Sequence, residues 1–226
     1  MTIFQLKHIC PPAADHPVHW TYDRAELIAD GVVHAFGVTF GLIGAVALLL
    51  MHPTSTGIDG YVALYAVGLI TMFGLSATYN LWPVSLRKWL LRRFDHSAIY
   101  LLIAATYTPF VSQVDDRAFA IAFLIGVWGA AIAGVFLKLS FPGRFDRLSI
   151  GLYLAMGWSG ILTYEKAAAA LPSATLVLIV AGGVLYTFGL LFHSWQRLRF
   201  QNAIWHGLVL VAAGCHFAAV AGLGIA

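Results

Sequence analysis

The sequence predicts an all-α integral membrane protein with seven transmembrane helices, its N-terminus cytoplasmic and its C-terminus outside. Three observations lead there. Of 226 residues, 60% are hydrophobic and only 10% are charged, against about 45–50% and about 25% in ordinary soluble domains. Crossing a hydrocarbon core of about 30 Å takes about 20 helical residues, and seven apolar runs of roughly that length fill the chain, at 28–51, 60–82, 96–114, 118–137, 148–164, 172–193 and 203–225. The cations are also asymmetric. Lys7, Arg24, Arg87, Lys88, Arg92, Arg93, Lys138, Arg144, Arg147, Arg197 and Arg199 fall on one side of that arrangement, and only Arg117 and Lys166 on the other. The positive-inside rule places the richer side in the cytoplasm. Residues 1–25 are then a polar cytoplasmic leader and 26–226 a single membrane domain.

In the leader, Pro11, Pro12, Asp15 and His16 interrupt any apolar core before it reaches the length of a secretory signal, so the N-terminus is expected to be retained. The first helix ends at the turn cluster His52-Pro53-Thr54-Ser55-Thr56-Gly57, and Pro83 stops the second. Phe141-Pro142-Gly143-Arg144 separates the fourth from the fifth, which is the one short run. Continuous runs rather than ten-residue alternating segments exclude a barrel, and an open sheet would leave backbone groups unpaired in lipid. Gly37 and Gly41 in the first helix, and Gly126, Gly129, Ala130 and Gly134 in the fourth, are spaced for close helix contact. Cys10 and Cys215 lie in the leader and deep in the last run, too far apart to suggest a disulfide. Thirteen scattered cations and a net charge of +3 make no nucleic-acid surface.

Polar side chains at membrane depth are costly unless paired or facing a cavity, so they are the natural site candidates. They are His34, Ser76, Asn80, Asp95, His96, His193, Asn202, His206 and His216. In the predicted topology all but His216 converge on the cytoplasmic leaflet, from helices one, two, three, six and seven. Ser76 and Asn80 share a helix face, as do Asn202 and His206. Simpler roles stand beside a site. Asp30, Asp95, Asp146 and Asn202 fall at starts of outward helices, where short oxygen-bearing side chains cap free N–H groups. Ser76 is placed to bond back to its own helix, His34, His96 and His216 to bond nearby carbonyls, and His193 to anchor the interface beside Trp195 and Arg197.

The segment Arg92-Arg93-Phe94-Asp95-His96-Ser97-Ala98-Ile99-Tyr100-Leu101-Leu102-Ile103-Ala104-Ala105-Thr106-Tyr107-Thr108-Pro109-Phe110 closely resembles the bacterial hemolysin III family, which is related to the adiponectin and progestin receptors. So do Ala203-Ile204-Trp205-His206-Gly207, Gly182-Gly183-Val184-Leu185-Tyr186-Thr187 and Tyr153-Leu154-Ala155-Met156-Gly157-Trp158, and the match runs from about Glu26 to Val220, including His34. The resemblance implies seven helices around a zinc site in the cytoplasmic leaflet, built from Ser-x-x-x-His on helix two, Asp on helix three and His-x-x-x-His on helix seven. Three imidazoles and a water form a hydrolytic zinc centre, and relatives with it are linked to hydrolysis of ceramide-like amides. There, Asp95 would act on the water and Ser76 would help to hold it. This chain has Asn80 and Asn202 at two of the three imidazole positions, leaving His206. Amide oxygen is a poor zinc donor. Either His193 serves as a replacement ligand beside His206, or Asp95 and His206 hold a weaker ion with waters, or zinc is absent and Asn80, Asn202, Asp95 and His206 form a hydrogen-bonded cluster.

Three functions follow as expectations: a hemolysin III type protein of the bacterial inner membrane with a degenerate zinc site and a role in lipid homeostasis or sensing; a zinc-dependent intramembrane hydrolase of lipid amides or esters; and a pore-forming cytolysin. The first is favoured by the asparagines, and the third by the family name alone. Membrane lipids are the implied partners, and the residues specify no oligomeric state.

Overall fold

The computed structural model describes residues 22–51, 59–195 and 197–223. The described residues hold helices and no strand. They are α1 (Arg24–Met51), α2 (Asp59–Leu81), α3 (Leu86–Val111), α4 (Arg117–Ser140), α5 (Asp146–Trp158), a 3-10 turn (Ser159–Thr163), α6 (Tyr164–Ala170), α7 (Ser173–Ser194) and α8 (Gln201–Ala221). By length and composition, α1, α2, α4, α7 and α8 are apolar enough to cross a membrane. α3 is long enough, but Arg92, Arg93, Asp95, His96, Thr106 and Thr108 dilute its apolar stretch. The fifth run is broken rather than continuous. Residues 1–21 of the leader, Cys10 among them, and the turn cluster at 52–57 lie outside the described residues.

Helix starts follow their sequences. Ahead of α1, Asp23 and Glu26 form a capping box: Asp23 N donates to Glu26 Oε2 and Glu26 N to Asp23 Oδ1, both at 2.8 Å. Ser85 accepts from Lys88 N to cap α3, and Asp116 accepts from Phe119 N to cap α4. α2 ends at Leu81, just before Pro83, and Lys88 Nζ closes it by donating to the carbonyls of Asn80 and Trp82.

These caps correct the expectation that Asp30, Asp95, Asp146 and Asn202 are capping residues. α1 and α3 begin before their apolar runs, so Asp30 and Asp95 sit well inside helices. Asp146 and Asn202 do stand in first turns, but α5 and α8 have no side-chain cap, and both side chains bond other helices. α5 and α8 are instead entered through Phe145 and Phe200, in the left-handed region at φ 61° and 60°, a conformation unusual for a bulky residue.

Neighbouring helices pack in sequence, α8 packs back on α1, and α3 touches α2, α4, α5 and α8. Large apolar side chains face outward instead of inward: Phe36, Ile43 and Leu50 on α1 are 67%, 65% and 76% exposed, seven residues apart along one stripe. α4 repeats this with Ile125, Ile132 and Phe136. Outward apolar faces of this extent suit lipid rather than water.

Glycines set some helix contacts. A Cβ at Gly37 would come within 2.9 Å of the Phe73 ring, and one at Gly134 within 2.5 Å of Tyr100. Gly126, Gly129 and Ala130, expected to do the same, lie exposed on the outer face of α4, and nothing is within 4 Å of a Cβ at either glycine.

The break after α5 is held by side chains. Tyr107 Oη donates to Gly157 O at 2.6 Å and accepts from Gly160 N, while Trp158 Nε1 donates to Thr187 Oγ1. Backbone groups freed by the 3-10 turn thereby find partners on α3, as lipid-buried backbone requires.

Candidate functional site

Three helices bring polar side chains to one end of the molecule. On α1, Asp30 and His34 are four residues apart and share a face. His34 Nδ1 lies 2.7 Å from the Asp30 carbonyl, and its Nε2 lies 3.4 Å from Ser76 Oγ on α2. Asn80, one turn beyond Ser76, donates from Nδ2 to Ser76 O at 2.9 Å and to Ser76 Oγ at 3.4 Å. From α8, Asn202 Nδ2 donates to Asn80 Oδ1 at 3.2 Å and to Asp30 Oδ2 at 3.0 Å, and His206 Nδ1 bonds Asp30 Oδ1 at 2.6 Å. The circuit Asp30, His34, Ser76, Asn80, Asn202 is closed, with His206 on its edge. The His34 and His206 rings meet edge to face, centroids 4.4 Å apart.

The entry to α8 is tied to α1 as well. Phe200 N donates to Glu26 Oε1, Arg199 pairs with Asp23, and Gln201 Nε2 donates to His193 O. The strained backbone at Phe200 is thus held where it aims Asn202 and His206 at α1. A cavity of about 10 Å³ adjoins the circuit, lined by His34, Ser76 and His206 on one side and by Met72, Phe73 and Val209 among others on the apolar side. A space that size admits about one water or one ion.

The structure brings together His34, Ser76, Asn80, Asn202 and His206, and adds Asp30, which the capping argument had set aside. Its four-residue spacing from His34 is the signal that could have found it. Asp95 is buried on α3, with Ser76 and His206 among its polar neighbours, and its Oδ1 has no hydrogen-bond partner among the described residues. His193 packs at a tilt against Trp205, ring centroids 5.1 Å apart, and its Nδ1 is likewise buried without a partner among the described residues. His216 is a packing residue: Nε2 meets Ile179 O at 3.1 Å, and a Cβ at Gly182 would come within 2.5 Å of its ring. His96 faces Tyr79, and its carbonyl accepts from Tyr153 Oη.

The zinc set implied by resemblance does not fit these residues. Asn80 and Asn202 are hydrogen-bonded to each other, so an amide N–H stands where a ligand lone pair would be needed, and His206 is the one imidazole in the set. A different group does converge. Among the described residues, Asp30, His34 and His206 each offer a donor atom within 4.8 Å of the others, the composition of a metal-binding triad.

Outward-facing apolar helices around a small polar core define a polytopic helical membrane protein. Comparison with known sequences then fixes the family. The haemolysin-III-related family profile matches residues 25–217, and the chain belongs to that family. It is 32% identical over 194 residues to the hemolysin-3 homolog of Bacillus subtilis, covering 85% of this chain and 91% of that protein. It is 34% identical over 196 residues to hemolysin-3 of Bacillus cereus, covering 85% and 89%. Similarity reaches the adiponectin receptor-like proteins: the heptahelical transmembrane protein ADIPOR2 of Oryza sativa subsp. japonica is 32% identical over 186 residues, 69% of this chain and 78% of that one.

Proposed function

We propose that this chain is a seven-span protein of the bacterial inner membrane, cytoplasmic at its N-terminus, that acts in lipid homeostasis by responding to the bilayer around it. In this reading α3 supplies the third span and the broken α5 to α6 segment the fifth. The carrying observation is the closed circuit of Asp30, His34, Ser76, Asn80 and Asn202, which joins α1, α2 and α8 at one end. Buried polar contacts of this kind hold only while the helices keep their relative heights and tilts, and bilayer thickness biases both. Breaking the circuit strands buried donors and acceptors, so a modest change of tilt becomes a change between two arrangements.

Hydrolysis of a lipid amide is not supported by this geometry. The family's three-imidazole set is replaced by an amide pair, and the cavity beside it is only about 10 Å³.

Reconstitution tests the reading. The full chain is placed in vesicles of short-, medium- and long-chain phosphatidylethanolamine and phosphatidylglycerol, and its thermal unfolding is followed by tryptophan fluorescence. The midpoint should vary with chain length, and the dependence should flatten in Asn80→Ala with Asn202→Ala. A midpoint indifferent to thickness sinks the proposal. Release of fatty acid from a short-chain ceramide would replace it with the hydrolase, and calcein escape at low protein-to-lipid ratio with the cytolysin.

A further inference from the structure

We propose that the chain binds one divalent transition-metal ion of the zinc class at His34 and His206, with Asp30 behind them, a ligand set drawn from α1 and α8 and distinct from the one that the family resemblance implies. Hydrogen-bond direction carries the argument. A carbonyl oxygen only accepts, so His34 Nδ1, 2.7 Å from Asp30 O, carries the ring proton and leaves Nε2 with its lone pair. A carboxylate also only accepts, so His206 Nδ1, 2.6 Å from Asp30 Oδ1, carries a proton in the same way. One residue therefore fixes both imidazoles in the same tautomer, through its main-chain oxygen for one and its side-chain oxygen for the other.

Metal-ligating histidines are oriented in this manner: the far ring N–H donates to a carboxylate or a backbone carbonyl, which sets the ring and raises the basicity of the ligating nitrogen. Both rings line the same small cavity, together with Ser76. His34 Nε2 meets the Ser76 hydroxyl at 3.4 Å, a long contact that an ion there would replace, and the His206 ring borders the same space. The His34 and His206 rings thus border a space for one ion, with donor atoms of Asp30, His34 and His206 within 4.8 Å of one another, and the Asp30 carboxylate contributes negative charge. Imidazole donors suit zinc, copper, nickel and cobalt rather than magnesium or calcium. The hydroxyl of Ser76 and a water would complete four positions. An ion held there clamps α1 to α8 beside α2.

The untagged full chain in detergent, stripped with chelator, is loaded with Co²⁺ and washed. The expected result is about one ion per chain with the visible band of four-coordinate cobalt. His34→Gln and His206→Gln should each lower retention more than tenfold, and Asp30→Asn should weaken affinity about 10- to 100-fold. Asp95→Asn should keep the ion, because Asp95 belongs to the family's set and not to this one. No band in the wild type overturns the proposal, as does a band that survives His34→Gln. Should a histidine variant fail to fold, zinc-edge X-ray absorption on the wild type decides instead: scattering from two imidazoles supports the site, and from one or none overturns it. These readouts contain no lipid variable, so their failure would leave the lipid reading standing.

Discussion

Two buried polar clusters hold this molecule together at the same end, and they are built differently. Between α3, α4 and α5, the carboxylate of Asp146 receives Arg92 Nη2 at 2.8 Å on one oxygen and Lys138 Nζ at 2.6 Å on the other. Lys138 belongs to a residue only 2% exposed. Two buried cations share one anion, and both oxygens are used. Between α1, α2 and α8, Asp30 is also bonded on both oxygens, but its partners are an amide and an imidazole. That cluster includes the cavity and a ring nitrogen, His34 Nε2, whose contact with Ser76 is long at 3.4 Å. A cluster with every group satisfied is a clamp, whereas one that leaves lone pairs facing a void is prepared to take something in.

The sharpest way to break the comparison is to remove each central carboxylate in turn. Asp146→Asn leaves Arg92 and Lys138 buried with no anion, and stranding buried charge costs about 3 kcal/mol or more. Asp30→Asn removes hydrogen bonds to a charged acceptor but leaves no cation behind if both imidazoles are neutral, so about 1.5 kcal/mol is expected. Graded unfolding in detergent and denaturant should rank them in that order. The reverse order would overturn this contrast between the two clusters.

Which cluster the sequence revealed follows from how each is encoded. His34, Ser76, Asn80, Asn202 and His206 stood out because each is polar inside an apolar run, and their convergence at one end was legible from the alternating direction of the runs. Asp30 was obscured by its place at the edge of a run, where a cap is the natural reading. The true cap is the Asp23 and Glu26 box, because α1 begins before its apolar stretch does. Asp95 was obscured for the same reason, since Ser85 starts α3 about two turns ahead of the last cations, Arg92 and Arg93. The Arg92, Lys138 and Asp146 clamp was hidden differently: its members sit in two predicted loops where charges are ordinarily solvated. The broken fifth helix could not be read from composition, because its continuity is decided by Tyr107 on another helix.

Both clusters depend on helices that touch closely, and small substitutions separate their supports. Gly134→Ala places a methyl against Tyr100 on the α3 to α4 contact beside the clamp, and Gly182→Ala places one against His216 on the α7 to α8 contact. Overpacking by one methyl should cost about 1 kcal/mol at each. Gly126→Ala, on the open outer face, should be neutral or slightly stabilising and serves as the control. If clamp and circuit are independent, Gly134→Ala combined with Asp30→Asn will add, and Gly182→Ala combined with Asp30→Asn will not, because both sites press on α8, through His216 at Gly182 and through Asn202 and His206 at Asp30.

The smallest effect is expected at the opposite end, where Lys166 Nζ bonds Asp116 Oδ2 at 2.7 Å with both side chains 40% or more exposed. Solvent screens such a pair, so Lys166→Met should leave the unfolding midpoint nearly unchanged, in contrast to either buried cluster. Its signature is a titration instead. The hydrogen bond from Lys166 holds the Asp116 carboxyl below the ordinary carboxylate range, aided by the Phe119 N–H that Asp116 caps. A depressed carboxylate contributes its full share above the ordinary value and loses it only as pH falls through the lowered one. Following the Asp116 carboxyl carbon by NMR, the midpoint in Lys166→Met should rise but stay below the ordinary range, because the cap to Phe119 remains. An unmoved midpoint would assign the whole depression to the cap and leave the lysine with no part in it.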